Sequence, residues 1–462
     1  MTFISNYPPV SESDIEGKPY ITVSTKGIAN GLSDIPNDGT DFGPDTMLNA
    51  TSKDQYGPPY SNTLGIQEAV NYAAAMGGGI VLLKAGTYII TTPIDLSLTK
   101  NITLMGVSAQ YGHVPSFSGT VLKLGASIDA MIKIDNSAWG TGTATAQNNP
   151  CNNTIKNLLL YGNREAGYTA HGIYMNVVGG GIIDGVGIFD FAGAGIYATQ
   201  SKIDAIINSA IGGAETSATA HTTSEIGSTW FPNNYGIYLD GVGAHFIINK
   251  CSIAHNEEDG IYITNVADVT EDVWVSDTGI YWNDGAGINI NNKTGNAFWF
   301  IHVNDSIVDE NLNNGILVQN NSGSTWGLNL LLANTQLIGN GRGNTSAYGM
   351  YITSTTGYTV QGIYITNIIS IDPIYNAQQS IYINYVNGID IIGGGYGTAP
   401  VMTSNSSQVN IGNVATPYTS GGLPFYTSLP TGAFTGEVVL YYNGTNYQIC
   451  AYLGGAWQCA TL

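Results

Sequence analysis

A four-residue strand motif recurs eight times along the chain. Glycine opens seven copies and tyrosine holds the third position in six, and the copies start at Gly172, Gly195, Gly236, Gly260, Gly287, Gly315, Gly349 and Ser380. Successive starts are 23, 41, 24, 27, 28, 34 and 31 residues apart. Self-similarity with a period of about 20 to 50 residues is the signature of stacked repeats. The chain is therefore predicted to fold as a solenoid.

Each repeat extends beyond the motif. In several copies apolar residues lie twelve and seven positions before it, and an asparagine lies four positions before it at Asn256, Asn283, Asn311 and Asn376. This order predicts a strand, a corner led by asparagine, a glycine and a second strand, because asparagine tolerates the left-handed backbone region. The repeats contain no helical segment long enough to connect parallel strands by a crossover. We therefore predict an all-β fold, a right-handed parallel β-helix built as a single-stranded solenoid with an apolar bore and a ladder of stacked asparagines.

The composition excludes one class of partner. Only 10% of the residues are charged, and 33 acidic against 13 basic residues give a net charge of −20 at pH 7. Binding to nucleic acid phosphates needs clustered Lys and Arg, so nucleic acid is not an expected partner. Most of this negative charge would be lost in strong acid, which hints at an acidic extracellular environment. The alternative is an ordinary solenoid with few charges.

The two ends of the chain differ from the repeats. Residues 1–40 have no clear period and are expected to form an N-terminal arm that docks on other proteins. The first residues lack the basic and apolar regions of a secretory signal, and no apolar run reaches the length that spans a membrane. The β-helix is predicted over 41–415, with lateral loops near 107–153 and 213–234. Residues 416–462 are predicted to form a C-terminal β module.

The start of the solenoid carries a family resemblance. A helix is predicted near 64–76, followed by strands at 80–83, 86–90 and 102–106, because "IQEAVNYAAAMGGGIVLLKAGTYII" pairs a helical pattern with a glycine stop and β-branched runs. This stretch resembles the opening of the pectate-lyase-like superfamily, in which a short helix caps a β-helix. The resemblance covers about residues 60–106 closely and implies the fold more than an activity, since such folds host many functions.

The cysteines predict one disulfide. Gly454 and Gly455 suit a two-residue hairpin turn, which places Cys450 opposite Cys459 in a non-hydrogen-bonded pair where side chains are close. The alternative is two free thiols. Cys251 takes an apolar position in its repeat and is expected to be a buried thiol, and Cys151 would pair with it only if the fold brought them together. The spacing of the four cysteines predicts no zinc site, and no metal is expected.

Carboxylates collect on one flank when the repeats are aligned. They are Glu257, Glu258, Asp259, Asp277, Asp284, Asp305 and Glu310. Coils about 4.8 Å apart would bring pairs of them to the separations that glycoside hydrolases use, with Trp282 and His255 beside them to hold a sugar. The alternative is that these groups only hydrogen-bond local turns or form surface ion pairs. Arg164, Glu165, His171 and Arg342 are equally ambiguous.

The repeated tyrosines are a second candidate surface. If Tyr262 and its equivalents point outward, they form an aromatic stripe suited to saccharide stacking or to a subunit interface. A one-residue shift in register would put them in the core instead. Trp230 and His221, in the loop near 213–234, are further candidates for glycan contacts because loops on a rigid stack often carry binding groups.

These features lead to two hypotheses. The first is a virion surface spike or fibre that binds a host-surface polysaccharide or glycoprotein glycan, since the tail resembles the β modules that end viral tail-fibre and spike proteins; that resemblance implies a homotrimer. The second is a polysaccharide-degrading enzyme. A lyase would use Ca²⁺ and an Arg or Lys base, and because these residues are scarce, hydrolysis is the better prediction. Nine Asn-x-Ser/Thr sequons permit glycosylation without requiring it.

Overall fold

A computed structural model of the chain divides into two compact units, Met1–Glu258 and Asp259–Leu462. It describes residues 20–26, 40–108, 118–213, 232–295, 298–342, 344, 346–356, 358–371, 379–396, 401–404, 406–412, 425–426, 429, 438–443, 446–453 and 455–461. Parallel strands dominate both units.

The first unit contains eighteen strands and two α-helices among its described residues. The helices are α1 (Ile66–Ala75) and α2 (Thr143–Asn148), and 3-10 turns span Ser137–Trp139 and Arg164–Ala166. The strands are β1 (Tyr20–Val23), β2 (Gly79–Leu83), β3 (Gly86–Ile90), β4 (Ile94–Asp95), β5 (Ile102–Gly106), β6 (Thr120–Leu124), β7 (Ala130–Asp135), β8 (Thr154–Lys156), β9 (Leu159–Tyr161), β10 (His171–Asn176), β11 (Ile182–Asp184), β12 (Gly187–Phe189), β13 (Ile196–Thr199), β14 (Ala205–Ile207), β15 (Ala210–Gly212), β16 (Ile237–Asp240), β17 (Phe246–Asn249) and β18 (Ser252–Ala254).

Three strands make one coil, and each strand pairs in parallel with its equivalent in the next coil. The first ladder runs β2, β5, β8, β11, β14, β17. The second runs β3, β6, β9, β12, β15, β18. The third runs β4, β7, β10, β13, β16 and carries the repeated tyrosine motif. This is a parallel β-helix, as the repeat predicts.

The core follows from the two-residue period of the strands. In β13, Ile196 and Ala198 are fully buried, while Tyr197 between them is only half-buried. Successive side chains of a strand alternate between faces, so the Ile and Ala line the bore and the Tyr faces away from it. Helix α1 lies against β1 and β2.

The second unit contains the remaining strands. They are β19 (Ile261–Thr264), β20 (Thr270–Ser276), β21 (Gly279–Tyr281), β22 (Ile288–Asn292), β23 (Phe298–Asn304), β24 (Ile307–Asp309), β25 (Ile316–Asn320), β26 (Trp326–Ala333), β27 (Gln336–Ile338), β28 (Tyr348–Ser354), β29 (Val360–Ile371), β30 (Gln379–Asn384), β31 (Asn387–Tyr396), β32 (Val401–Ser404), β33 (Ser407–Gly412), β34 (Phe425–Tyr426), β35 (Val438–Tyr442), β36 (Tyr447–Leu453) and β37 (Ala456–Thr461). Parallel ladders of the same kind continue here, for example β20, β23, β26, β29, β31, β33.

The asparagine corners form the predicted ladder. In the second unit the Asn283 amide donates to Asn311 Oδ1 at 2.8 Å, and the Asn311 amide donates to Asn340 Oδ1 at 2.8 Å. All three side chains are buried, with at most 2% of their surface exposed. Each asparagine thus satisfies its neighbour one coil away, which removes the cost of burying an unpaired amide.

Two predicted boundaries differ from the structure. Residues 107–153, expected as a lateral loop, contain β6, β7 and α2. The strands were missed because neither carries the tyrosine motif, yet both join the ladders in register. The predicted arm over 1–40 contains β1, which pairs with β2 along Tyr20–Val23. Most of the predicted loop at 213–234 lies outside the described residues.

The C-terminal module is a small separate sheet. β35, β36 and β37 form two antiparallel hairpins, and β34 pairs in parallel with β35. Cys450 and Cys459 are opposite each other, in the register that the sequence predicts, and form a disulfide. Cys151 and Cys251 are both buried, and neither forms a disulfide with a described residue.

Candidate functional site

Three tyrosines form an outward stripe on the third ladder of the first unit. Tyr174, Tyr197 and Tyr238, the tyrosine stripe, occupy the same register position in β10, β13 and β16. The first two ring centroids are 5.5 Å apart at 60°, and the second pair is 5.0 Å apart at 74°. Because neighbouring rings meet edge to face, they do not cover each other's faces as they would in parallel stacking. Of the two orientations that the sequence left open, the structure has the outward one.

Two further aromatic side chains widen the stripe. The His171 ring lies 5.2 Å from the Tyr197 ring, and the Tyr235 ring lies 5.3 Å from the Tyr238 ring. His171 Nδ1 accepts a hydrogen bond from the Ala194 amide at 3.0 Å. Burial lowers the pKa of His171, which favours its neutral form. The widened stripe is therefore an uncharged aromatic surface.

Carboxylates surround the tyrosine hydroxyls. Burial and the nearby Asp135 and Asp129 raise the pKa of Tyr174 to about 12. Burial and Asp240 also raise the pKa of Tyr197. Lys133 in β7 pairs in register with Tyr174 in β10. The Lys133 Nζ atom lies 4.0 Å from Asp129 Oδ2. The hydroxyls thus stay protonated at neutral pH and can donate hydrogen bonds.

A polar cluster lies at the end of the second ladder in the same unit. Asp190 is 2% exposed and accepts a hydrogen bond from the Arg164 amide at 2.8 Å and another from the Tyr161 hydroxyl. Burial raises the pKa of Asp190 to about 6. Arg164 Nη1 lies 2.7 Å from Glu257 Oε1. The structure thus brings Glu257 together with Arg164 as an ion pair, and most of the cluster is already internally satisfied.

A second cluster lies at the equivalent turns of the second unit. The acidic cluster consists of Asp309, Glu310, Trp282 and Arg342. Trp282 Nε1 donates to Glu310 Oε2 at 2.9 Å, and Arg342 Nη1 lies 4.0 Å from the same oxygen. Trp282 directly follows β21 and Glu310 directly follows β24, and both residues adopt the left-handed backbone conformation at these corners. The shared corner geometry is what aligns the indole with the carboxylate one coil away.

Asp309 differs from its neighbour Glu310. Burial, and then the charge of Glu310, raise the pKa of Asp309 to about 6. Its Oδ1 atom is buried and has no hydrogen-bond partner in the part of the chain that the structure describes. A carboxyl whose pKa is raised to about 6, beside a carboxylate that faces an arginine, is the pairing that acid catalysis in mildly acidic solution needs.

The side chains of Asp259 and Tyr262 are buried and do not face a ligand from solvent. Asp259 is 8% exposed, and its two oxygens accept hydrogen bonds from the Ala286 amide at 2.7 Å and from Asn289 at 2.9 Å. Tyr262 is 6% exposed, unlike the stripe tyrosines, and Lys293 Nζ lies 5.3 Å from its ring centroid. Both side chains are therefore buried supports and not surface groups.

The other predicted residues are scattered. Asp277 and Asp305 are exposed corner residues with left-handed backbone, Glu258 is exposed, and Asp284 is half-buried. His255 is a left-handed corner residue of the first unit. Trp230 and His221 lie outside the described residues. The repeat alignment gave Trp282 and Glu310 equivalent positions, and the structure places both side chains near Arg342, which the alignment did not include. Asp309, Asp190, Tyr161 and Tyr235 were not among the predicted site residues. An outward strand position next to a corner was the signal that would have found Asp309.

The described residues show neither a metal-binding cluster nor a membrane-spanning helix. No group of three or more His, Cys, Asp or Glu side chains is arranged to hold a metal ion there. Within the same residues, no helix has the length and apolar character needed to cross a membrane.

Comparisons with known proteins give only distant structural likenesses. No protein-family model and no curated protein match the chain. Solved structures that it resembles include the mannuronan C-5 epimerase A-module of Azotobacter vinelandii, at 14% identity over 76% of this chain and 94% of that one, with a TM-score of 0.44. The Dettilon tailspike protein shares 14% identity over 86% and 74%, with a TM-score of 0.46. A family 28 exopolygalacturonase of Yersinia enterocolitica shares 12% identity over 76% and 74%, with a TM-score of 0.45.

Likenesses this distant carry no argument about the activity of this chain. Its own strand registers show that it folds as a parallel β-helix. An activity has to be argued from its own side chains.

Proposed function

We propose that the protein is a virion surface spike or fibre protein that binds a host-surface glycan, and that the tyrosine stripe is the binding surface. The observation that carries this proposal is the outward register of Tyr174, Tyr197 and Tyr238 on a rigid ladder. Their neighbours in the strands fill the bore, so the rings are held in place without being core residues. The resemblance of the C-terminal module to those of viral tail fibres supports the virion context, and it leads us to expect a homotrimer, which analytical ultracentrifugation tests.

Saccharides suit such a surface for three reasons. The apolar CH face of a sugar ring packs on an aromatic face, and the tyrosine hydroxyl gives a polar handle at the edge. Strands of a ladder repeat about every 4.8 Å, so equivalent rings on successive coils offer a polymer a series of contacts along the solenoid. A rigid aromatic platform also avoids much of the entropy cost of ordering side chains on binding.

The test is affinity electrophoresis in gels that contain neutral or anionic polysaccharides, including envelope material from candidate hosts. Tyr197→Ala should weaken binding about tenfold, which is the effect expected for losing one aromatic contact. Tyr197→Phe should retain most of the binding, since it keeps the ring. Tyr60→Ala removes an exposed tyrosine outside the ladders and serves as the matched control. Equal binding by Tyr197→Ala and the parent protein, with both folded, would refute the proposal.

The acidic cluster favours a second candidate function, glycoside hydrolysis. Asp309 has the raised pKa of a general acid, and Glu310 beside it is fixed by Trp282 and Arg342. In this role Asp309 would protonate the leaving oxygen, and Glu310 would act as nucleophile or base. This proposal needs no metal and is compatible with the first, since a spike can cut the glycan that it binds.

Release of new reducing ends from the bound polysaccharide tests this second candidate. Asp309→Asn and Glu310→Gln should each reduce release by at least about a hundredfold. Activity should fall as the pH rises above about 6, because the acid must carry its proton. Asp305→Asn, at an exposed corner of the preceding ladder turn, is the matched control. Full activity in Asp309→Asn would refute the assignment, and unsaturated, Ca²⁺-dependent products would indicate a lyase instead.

A further inference from the structure

The charges around the tyrosine stripe are unevenly distributed. The third-ladder strands of the first unit, β4, β7, β10, β13 and β16, contain one Lys and no Arg, and that residue is Lys133. The same strands contain three carboxylates, and a fourth, Asp129, directly precedes β7; the four are Asp95, Asp129, Asp135 and Asp240. His171 is held neutral by its burial. The stripe therefore lies in a negative field at neutral pH.

These carboxylates reach the stripe. The charges of Asp135 and Asp129 both act on the Tyr174 hydroxyl, and that of Asp240 acts on the Tyr197 hydroxyl. Asp95 is in register with Lys133 at the start of the column that leads to Tyr174. Charges that lie within about 8 Å of each other are only partly screened at physiological salt. A ligand on the rings would feel the same charges as the hydroxyls.

These carboxylates differ in how openly they face a ligand. The Asp129 side chain is 86% exposed, and its Oδ2 lies 4.0 Å from Lys133 Nζ. Asp135 Oδ1 accepts hydrogen bonds from the Ser137 amide at 3.1 Å, the Ser137 hydroxyl at 2.7 Å and the Asn176 amide at 3.0 Å. Asp240 is only 6% exposed. All of them would repel an anionic ligand, and Asp129 is the one exposed enough to meet a ligand cation.

We infer that the tyrosine stripe discriminates against glycans that carry carboxylate, sulfate or phosphate groups, in favour of glycans without anionic groups. This inference rests on the proposed glycan-binding function and specifies its ligand. An anionic sugar on the stripe would lose its hydration with no guanidinium or free ammonium to replace it, which is unfavourable. Specificity of this kind comes from repulsion of the wrong ligand as much as from attraction of the right one.

The test uses one polymer in matched forms. The neutral polysaccharide that retards the protein most is converted to a carboxymethyl and an aminoethyl derivative of equal substitution, and all three are compared by affinity electrophoresis at low and high salt. The carboxymethyl form should bind at least about tenfold more weakly at low salt, and the difference should shrink as salt screens the charges. The aminoethyl form should bind at least as tightly as the parent polymer at low salt, because the same field attracts a cation.

Variants tie the discrimination to the named charges. Asp129→Asn, at a side chain that is 86% exposed, should narrow the difference between neutral and carboxymethyl forms without affecting the fold. Asp54→Asn, at an exposed site outside the ladders, should leave it unchanged. Binding of the carboxymethyl form as tightly as the neutral parent at low salt would overturn this inference while leaving glycan binding intact. Retardation by none of the polymers would refute the proposed function itself.

Discussion

The buried carboxyl of Asp204 should make the stability of the first unit depend on pH. Asp204 is 1% exposed, its Oδ1 accepts one hydrogen bond from the Gly181 amide at 2.6 Å, and its Oδ2 has no hydrogen-bond partner among the described residues. Oδ1 and the methyl groups of Val178 and Met175 converge at 2.9, 3.0 and 3.1 Å on the point where a Cβ of Gly181 would stand. The nearby titratable group is the buried thiol of Cys151, which is also neutral. Burial therefore raises the pKa of Asp204 well above its usual value.

The direction of the effect follows from proton linkage. Below the unfolded-state pKa, about 3.9, the carboxyl is protonated in both states and contributes fully to stability. As the pH rises above that value, the unfolded chain releases the proton and the folded chain keeps it, so stability falls by about 1.4 kcal/mol per pH unit until the folded pKa is reached. Asp204→Asn keeps the acceptor for Gly181 and removes the ionisation. The variant should match the parent protein near pH 3 and exceed it increasingly from pH 4 upward.

Urea unfolding followed by far-ultraviolet circular dichroism between pH 3 and pH 7 measures this difference. Asp204→Ala separates charge from hydrogen bonding, because it also leaves the Gly181 amide without its acceptor and should be less stable than Asp204→Asn by about 1 kcal/mol at every pH. Asp129→Asn, at the surface, should stay within about 0.5 kcal/mol of the parent throughout. A gap between Asp204→Asn and the parent that stays constant from pH 4 to pH 7 would refute the reasoning.

Two further predictions concern the coil corners. Asn311→Ala should lower the free energy of unfolding by about 3 kcal/mol in urea titrations, because it removes the buried Oδ1 that accepts from the Asn283 backbone and side-chain amides and the side-chain amide that donates to Asn340. Asn344→Ala, whose side-chain bonds are exposed, should cost less than about 1 kcal/mol. Gly212→Ala should abolish or strongly reduce soluble expression, since its Cβ would stand 1.6 Å from the Ala254 carbonyl oxygen at a φ of 134°, whereas Gly327→Ala meets nothing within 4 Å and should be tolerated.

The repeats predicted the β-helix because the residues that recur in them are those that form its corners and fill its bore. Asn283 and Asn311 mark corners, and the apolar residues that flank each tyrosine mark the bore. Periodicity alone left the face of Tyr197 open, since Tyr and Ile both fit a buried strand. The strands at Thr120–Leu124 and Ala130–Asp135 were missed because pairing with the neighbouring coil, and not a local motif, defines them.

The candidate site was harder to predict for a physical reason. An alignment of repeats finds positions that stack, such as Asp277 with Asp305, but a carboxylate changes its chemistry through burial and partners that the alignment does not contain. Burial next to Glu310 raises the pKa of Asp309. Both carboxylate oxygens of Asp259, in contrast, accept hydrogen bonds from Ala286 and Asn289. Both residues look alike in the sequence.

Binding and cleavage make separate demands on this chain, and the variants can therefore distinguish them. Glycan binding depends on ring faces, so Tyr197→Phe should preserve it and Tyr197→Ala should not. Cleavage depends on one proton at Asp309, so it should disappear in Asp309→Asn at every pH while binding to the stripe persists. If Tyr197→Ala and Asp309→Asn both lost binding while neither affected cleavage, the assignment of the two roles to different residues would be contradicted. Retained binding in Asp309→Asn together with lost release would instead establish a spike that holds its glycan through one surface and cuts it at another.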